Sequence, residues 1–156
     1  MRLLCDEMLG GIAQWLRVAG YDTEVPTQGL PDDELMAWAR AEGRWLVTAD
    51  SDLLGFTDAP RYVIHLQGTD EHARLRELTR RLDLDWCHAP FTRCKRCNTP
   101  LHAASDWEKA HYYPDSIRLD GQSVWACPRC CQLFWEGSHV RRMRAQLVAM
   151  NAWQRA

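Results

Sequence analysis

The chain has 156 residues, 46% hydrophobic and 26% charged, which suits one ordinary domain or a domain of about 90 residues with a small appendage. No apolar run approaches the ~18 residues that a membrane span requires. The early acids in Met1-Arg-Leu-Leu-Cys-Asp6 exclude a secretory signal, so a soluble cytoplasmic protein is expected.

Arg2 to Cys5 reads as a short strand that ends in Asp6-Glu7. A helix follows from about Leu9 to Ala19, with Ile12, Leu16 and Ala19 on one face and Gly20 as its stop. Asp22 to Val25 is a second strand. Pro31-Asp-Asp-Glu34 opens a helix to about Glu42, its acids in the first turn where the helix dipole favours them, and Gly43 ends it. Trp45 to Thr48 is the central strand, followed at once by Ala49-Asp50-Ser51-Asp52. Tyr62 to Leu66 is a further strand, and Asp70 to Leu82 a helix with Leu75, Leu78 and Leu82 inward. The alternation predicts an α/β fold, a parallel sheet flanked by helices with right-handed crossovers.

The net charge of −2 conceals an asymmetry. Residues 1–90 carry nine Lys/Arg against sixteen Asp/Glu, whereas residues 91–156 carry ten against five. Five of the seven cysteines also follow residue 90. Two units are expected, residues 1–88 and residues 89–156.

In a parallel sheet, strand carboxyl ends and the helix amino termini that follow them share one edge. Asp6, Asp32, Asp50 and Asp52 should therefore gather there. Two carboxylates about 5 Å apart at an effective dielectric of about 20 repel by a few kcal/mol, which a divalent cation such as Mg²⁺ or Mn²⁺ relieves. The plainer alternative is that Asp32 and Asp50 cap helices and Asp6 is a surface acid.

Cys94-Lys-Arg-Cys97 and Cys127-Pro-Arg-Cys130 are two CxxC turns separated by 29 residues. Each turn presents two thiolates to one cation, and two turns complete a tetrahedron, so these four are expected to bind a structural Zn²⁺. Asn98 and Cys131 follow the two knuckles, where the turn favours positive φ; Asn tolerates that conformation and Cys131 is either strained or a surplus ligand. Cys5 and Cys87 read as buried apolar fillers. Trp125 and Leu133-Phe-Trp135 are expected to form the small ribbon core, and Trp107, Tyr112 and Tyr113 to offer surfaces for base stacking.

Cys5-Asp-Glu-Met-Leu-Gly-Gly-Ile-Ala-Gln-Trp-Leu-Arg-Val-Ala-Gly-Tyr-Asp22 resembles the opening of the Mut-seven C-terminal ribonuclease family. Asp32-Asp-Glu-Leu-Met-Ala-Trp-Ala39, Leu46-Val-Thr-Ala-Asp-Ser-Asp-Leu-Leu54 and Trp135-Glu-Gly-Ser-His139 are similar to its later blocks. The resemblance implies a PIN-like nuclease unit carrying a zinc ribbon and acting on RNA with Mg²⁺ or Mn²⁺. Its catalytic acids fall on Asp6, Asp32, Asp50 and Asp52. Gly11 and Gln14 stand where the family pattern leads one to expect basic residues.

Beyond the ribbon, Val140, Met143, Leu147 and Met150 form an apolar stripe flanked by Arg141, Arg142 and Arg144. These arginines are either a solvated face or contacts that hold RNA phosphates without reading sequence. His139 at the helix start could meet phosphate, although a structural role is the commoner one there. The expected function is a metal-dependent ribonuclease acting on single-stranded RNA. The competing readings are a non-catalytic RNA- or ribosome-binding adaptor, and a phosphatase using Asp50 and Asp52. The latter chemistry normally places its pair after the first strand.

Overall fold

A computed structural model describes residues 1–112, 119 and 121–155. Tyr113 falls outside them. Four parallel strands form the first sheet in the order β2-β1-β3-β4: β1 Arg2–Cys5, β2 Asp22–Glu24, β3 Trp45–Thr48 and β4 Val63–His65. The helices between them are α1 Gly10–Val18, α2 Asp32–Glu42 and a single turn, α3 Ala59–Tyr62, followed after β4 by α4 Glu71–Leu82.

Period-two alternation on the strands sorts the core into two layers. Leu3, Cys5, Val47 and Ile64 point to one face and meet Ile12, Leu16, Leu75 and Leu78 of α1 and α4. Leu4, Leu46 and Val63 point to the other and meet Leu35, Met36 and Ala39 of α2. Both faces of the two central strands are thereby covered beyond their exposed first residues, Arg2 and Trp45, which is why Leu3 to Cys5 and Leu46 to Val47 are apolar on successive positions.

The expected strand from Tyr62 is shorter than the sequence suggests. Pro60 fits the first turn of α3, because its missing N–H has no intrahelical partner there. The expected helix from Leu9 begins as a 3₁₀ turn, Glu7–Leu9, capped by the Asp6 carboxylate on the Met8 N–H.

The second sheet is a three-stranded antiparallel ribbon, β5 His102–Ala103, β6 Val124–Cys127 and β7 Gln132–Trp135, with α5 Asp106–His111 between its first two strands. Its core is small: Val124, Ala126 and Leu133, with Tyr112 and Trp135 packed against them. Tyr112 is thus part of the ribbon core rather than a free stacking surface. Trp107 is 60% exposed and lies over the His111 ring at 4.3 Å.

The two sheets are joined firmly. The connector runs back along the end of α1, where the Ala89 and Phe91 N–H groups donate to the Ala19 and Val18 carbonyls. Gly20, at φ +97°, lies so close beneath Ala89 that an added Cβ would stand 2.3 Å from its carbonyl oxygen. The terminal helix α6, Ser138–Asn151, returns to the first unit, and its Leu147 and Met150 are fully buried in the α1–α4 core. Asn151 fastens that end by accepting from the Trp86 N–H and donating to the Asp85 carboxylate.

Asn98 makes the tightest stitch. Its side-chain oxygen accepts from the Thr23 N–H at 3.0 Å, and its amide donates to Asp22 at 2.8 Å and Glu24 at 2.9 Å. Its φ of +68° suits Asn and Gly better than alanine. Asn98→Ala is expected to cost about 3 kcal/mol, from an orphaned buried N–H plus the strained backbone. Asn98→Gly should recover the backbone part alone, and urea unfolding of the two variants separates the contributions.

Asp22 supplies a pH signature at the same seam. Burial would raise its pKa, but hydrogen bonds from Arg44 and Asn98 outweigh burial and hold the carboxyl at about 2. A depressed pKa stabilises the fold above the unfolded value and is lost as pH falls through the folded value. Asp22 should therefore contribute about 2 kcal/mol that disappears between about pH 4 and pH 2. Asp22→Asn is expected to be less stable at pH 6 and to show a shallower acid transition by circular dichroism.

Candidate functional site

The four-cysteine centre is built from two turns that meet at the seam between the sheets. Cys94 and Cys97 lie on the first turn, Cys127 ends β6, and Cys130 follows within the β6–β7 turn. Asn98 at φ +68° and Cys131 at φ +52° take the left-handed conformation expected after each knuckle. All four sulfurs lie within 4.8 Å of one another. Two pairs measure 3.9 Å (Cys94–Cys130) and 3.5 Å (Cys97–Cys127). A tetrahedral zinc with Zn–S bonds of about 2.3 Å spaces its sulfurs roughly 3.8 Å apart, so these residues fit a zinc ion, and no disulfide links them.

Their protonation argues the same way. Burial acts to raise the Cys97 thiol, but hydrogen bonds from Thr99 and the neighbouring sulfurs bring it down to about 6. Burial and the adjacent Cys97 and Cys94 sulfurs push Cys130 up to about 12. One ionised thiol thus opposes ionisation of another, a conflict that a cation removes.

The remaining cysteines are not ligands of this centre. Cys131 is exposed and its Sγ faces the Pro128 carbonyl at 3.9 Å. Cys5 is fully buried, and burial pushes its thiol up to about 12, leaving it an inert filler. Cys87 departs from the expected burial: its N–H is taken by the Asp85 carboxylate in a surface turn, and its side chain is exposed.

At the carboxyl edge of the parallel sheet, Thr48 organises the acids. Its hydroxyl donates to Asp6 Oδ2 at 2.9 Å and accepts the Asp50 N–H at 2.9 Å. Asp6 Oδ1 accepts from the Met8 N–H, and Asp50 Oδ1 from the Asp52 N–H, so each carboxylate is fixed by its own turn. Asp32 opens α2, where Pro31 holds the cap position and no side chain caps the helix. Its carboxyl pKa is raised, first by burial and then by the negative charges of Asp50, Asp52 and Asp6. The charges of two other segments therefore reach Asp32 across this edge. Among the described residues, only the cysteines form a set of three or more ligating groups close enough for one ion, so the carboxylates stand less tightly grouped.

His65, paired in register with Thr48, joins this edge and contacts the Ala49 carbonyl at 3.2 Å. Neither Thr48 nor His65 was picked out from sequence. A hydroxyl ending a strand two residues before an acid was the available signal for Thr48.

The α6 arginines have local duties. Arg144 pairs with the Glu136 carboxylate and lies 4.8 Å from the centre of the Phe91 ring. Arg141 donates to the Glu136 carbonyl, whereas the Arg142 side chain is exposed. His139 is 3.4 Å from the Lys95 ammonium, linking the helix start to the first knuckle. In the ribbon, Trp125 and Phe134 form a cross-strand pair on the face towards α6, opposite the core that holds Leu133.

A parallel α/β unit with acids along its carboxyl edge, joined to a ribbon whose cysteines can hold zinc, is the class of protein that these features define. The chain belongs to the Mut7-C RNAse domain family, whose model matches residues 1–147. No curated protein and no solved structure matches it. Membership supports a nuclease-like, RNA-related function.

Proposed function

We propose that this protein is a PIN-like, metal-dependent ribonuclease that hydrolyses phosphodiester bonds of single-stranded RNA at the acidic edge. The observation that carries the reading is the raised pKa of Asp32 under the charges of Asp50, Asp52 and Asp6, in a chain of an RNase-domain family. Asp6, Asp32 and Asp50 would hold one or two Mg²⁺ or Mn²⁺ ions, with Asp52 on the rim. A divalent ion bound there lowers the pKa of water and offsets negative charge on the phosphate.

The chain's own contribution is orientation. Thr48 fixes Asp6 and the Asp50 backbone relative to each other, so two ligands are placed before substrate arrives. Zinc in the ribbon would be structural, and the ribbon with Arg141, Arg142 and Arg144 would hold the strand by its phosphates. Zinc–thiolate chemistry also fits a reducing compartment such as the cytoplasm.

The test is hydrolysis of a labelled single-stranded RNA with Mn²⁺ or Mg²⁺ supplied or omitted. Metal-dependent cleavage that disappears in Asp50→Asn supports the proposal. Binding without cleavage on any substrate would leave a non-catalytic adaptor.

A further inference from the structure

A cleft with a volume of about 550 Å³ lies between the two units. Its walls come from one side of α1, the end of β2, the β2–α2 loop, α2 and both cysteine knuckles. Four cations reach it: Arg17, Lys95, Arg96 and Arg129. The last three are three of the four intervening positions of the two CxxC turns, so the fold that gathers four sulfurs on one side also gathers these cations around the cleft. Arg17 is buried and spent on structure, donating to the Thr23, Lys95 and Arg96 carbonyls. Lys95 leans on His139. Among the described residues, the Arg96 and Arg129 guanidiniums have no hydrogen-bond or ion-pair partner, and both residues are exposed.

The opposite wall carries Gln14 and the half-buried Trp38, an uncharged donor and an aromatic surface. One acid, Glu24, also borders the cleft, but it accepts from Asn98. A cleft of this size lies within the roughly 300–1,000 Å³ of small-ligand sites. Gly10 and Leu30 also line it. Leu30 stands two residues before Asp32 and Gly10 four after Asp6, so the cleft lies beside the acidic edge. None of Arg141, Arg142 and Arg144 lines it.

We infer that this cleft is a backbone-binding subsite for single-stranded RNA, in which Arg96 and Arg129 hold phosphates and Trp38 stacks on a base beside the acidic edge. The choice of RNA rests on the ribonuclease reading; the cleft and its unpartnered arginines do not. Guanidiniums bind phosphate through paired N–H donors without reading sequence, and aromatic side chains accept any base. The knuckles thereby acquire a use beyond folding the ribbon.

The test measures anisotropy of a labelled single-stranded RNA with full-length, zinc-loaded protein in an Asp50→Asn background. Arg96→Gln with Arg129→Gln should weaken binding at low salt by about tenfold or more. It should flatten the plot of log affinity against log salt by about 1.4, the value for two lost single-strand phosphate contacts. Arg61→Gln with Arg80→Gln removes equal charge elsewhere and should change both much less. Trp38→Leu should weaken binding with the salt slope unchanged. Zinc content, measured for each variant, ensures that the knuckles are intact.

An unaltered salt slope in the knuckle pair, or an equal loss in the control pair, overturns the subsite. So does an acidic peptide such as poly-glutamate binding through the knuckle pair where RNA does not. Cleavage by wild type with binding indifferent to the knuckle pair overturns the subsite and leaves the ribonuclease. RNA binding that depends on the pair, without cleavage, leaves the subsite and overturns the ribonuclease.

Discussion

Cys97→Ser is expected to unfold more than the ribbon to which Cys97 belongs. Among the described residues the ribbon core holds three buried side chains, Val124, Ala126 and Leu133, too few to fold so short a unit alone. Zinc bound to sets of this kind contributes on the order of 10–16 kcal/mol at neutral pH, and that binding energy is folding energy. The damage should then pass to the first unit, because Leu147 and Met150 of α6 complete its core and the Asn98 and Arg17 hydrogen bonds tie the knuckle to β2 and α1. Uncovering each of those apolar side chains costs about 2–5 kcal/mol. Elemental analysis should find about one zinc per wild-type chain and little in the variant. Thermal melts should show one lowered transition for the whole chain rather than an intact first unit. Cys131→Ser is the control and should keep its zinc, since that sulfur faces the Pro128 carbonyl. A Cys97→Ser protein melting with wild type, or native protein holding disulfides in place of metal, would sink the assignment.

The parts of this molecule legible in sequence were those set by local patterns. Alternation of short apolar strands with amphipathic helices gave the parallel sheet, and the CxxC spacing gave the sulfur cluster. Positive φ after each knuckle followed from turn chemistry at Asn98 and Cys131. What escaped was whatever depended on one segment meeting another. Asn98 read as a turn residue, yet its side chain joins the ribbon to β2 across more than seventy positions. The α6 stripe was visible, but not that it would fill the core of the first unit. The same limit explains the arginines: charge on α6 was easy to see, whereas two lone arginines inside the knuckles gain meaning only when the fold turns them into one cleft. Cys87 escaped for a local reason, since the Asp85 side chain takes its N–H and fixes a surface turn.

Loss of Asp6 or Asp50 should abolish cleavage while sparing RNA binding. Each asparagine keeps the shape of the side chain but removes a charge that the proposed divalent ion would need, and an electrostatic loss of this kind costs on the order of 10²–10³ in turnover or more. Binding should hold or tighten slightly, because a negative charge near the phosphates has gone. The metal can be followed without activity. Mn²⁺ should raise the melting temperature of wild type more than that of Asp50→Asn, and equal shifts would show that Asp50 is no ligand. Asp32 is expected to add a pH dependence. Its pKa is raised by burial and by Asp50, Asp52 and Asp6, so its protonated form favours the fold and that advantage is lost as pH rises through the folded value. Metal-free wild type should consequently lose stability relative to Asp32→Asn from acid towards neutral pH, while its Mn²⁺-induced shift grows as the carboxyl ionises. Asp32→Asn should melt higher than wild type without metal at pH 7 and gain less from Mn²⁺. Parallel pH profiles for the two metal-free proteins would mean that Asp32 does not feel the other acids, and the edge would then be the turn caps of Asp6 and Asp50 beside a separate surface acid.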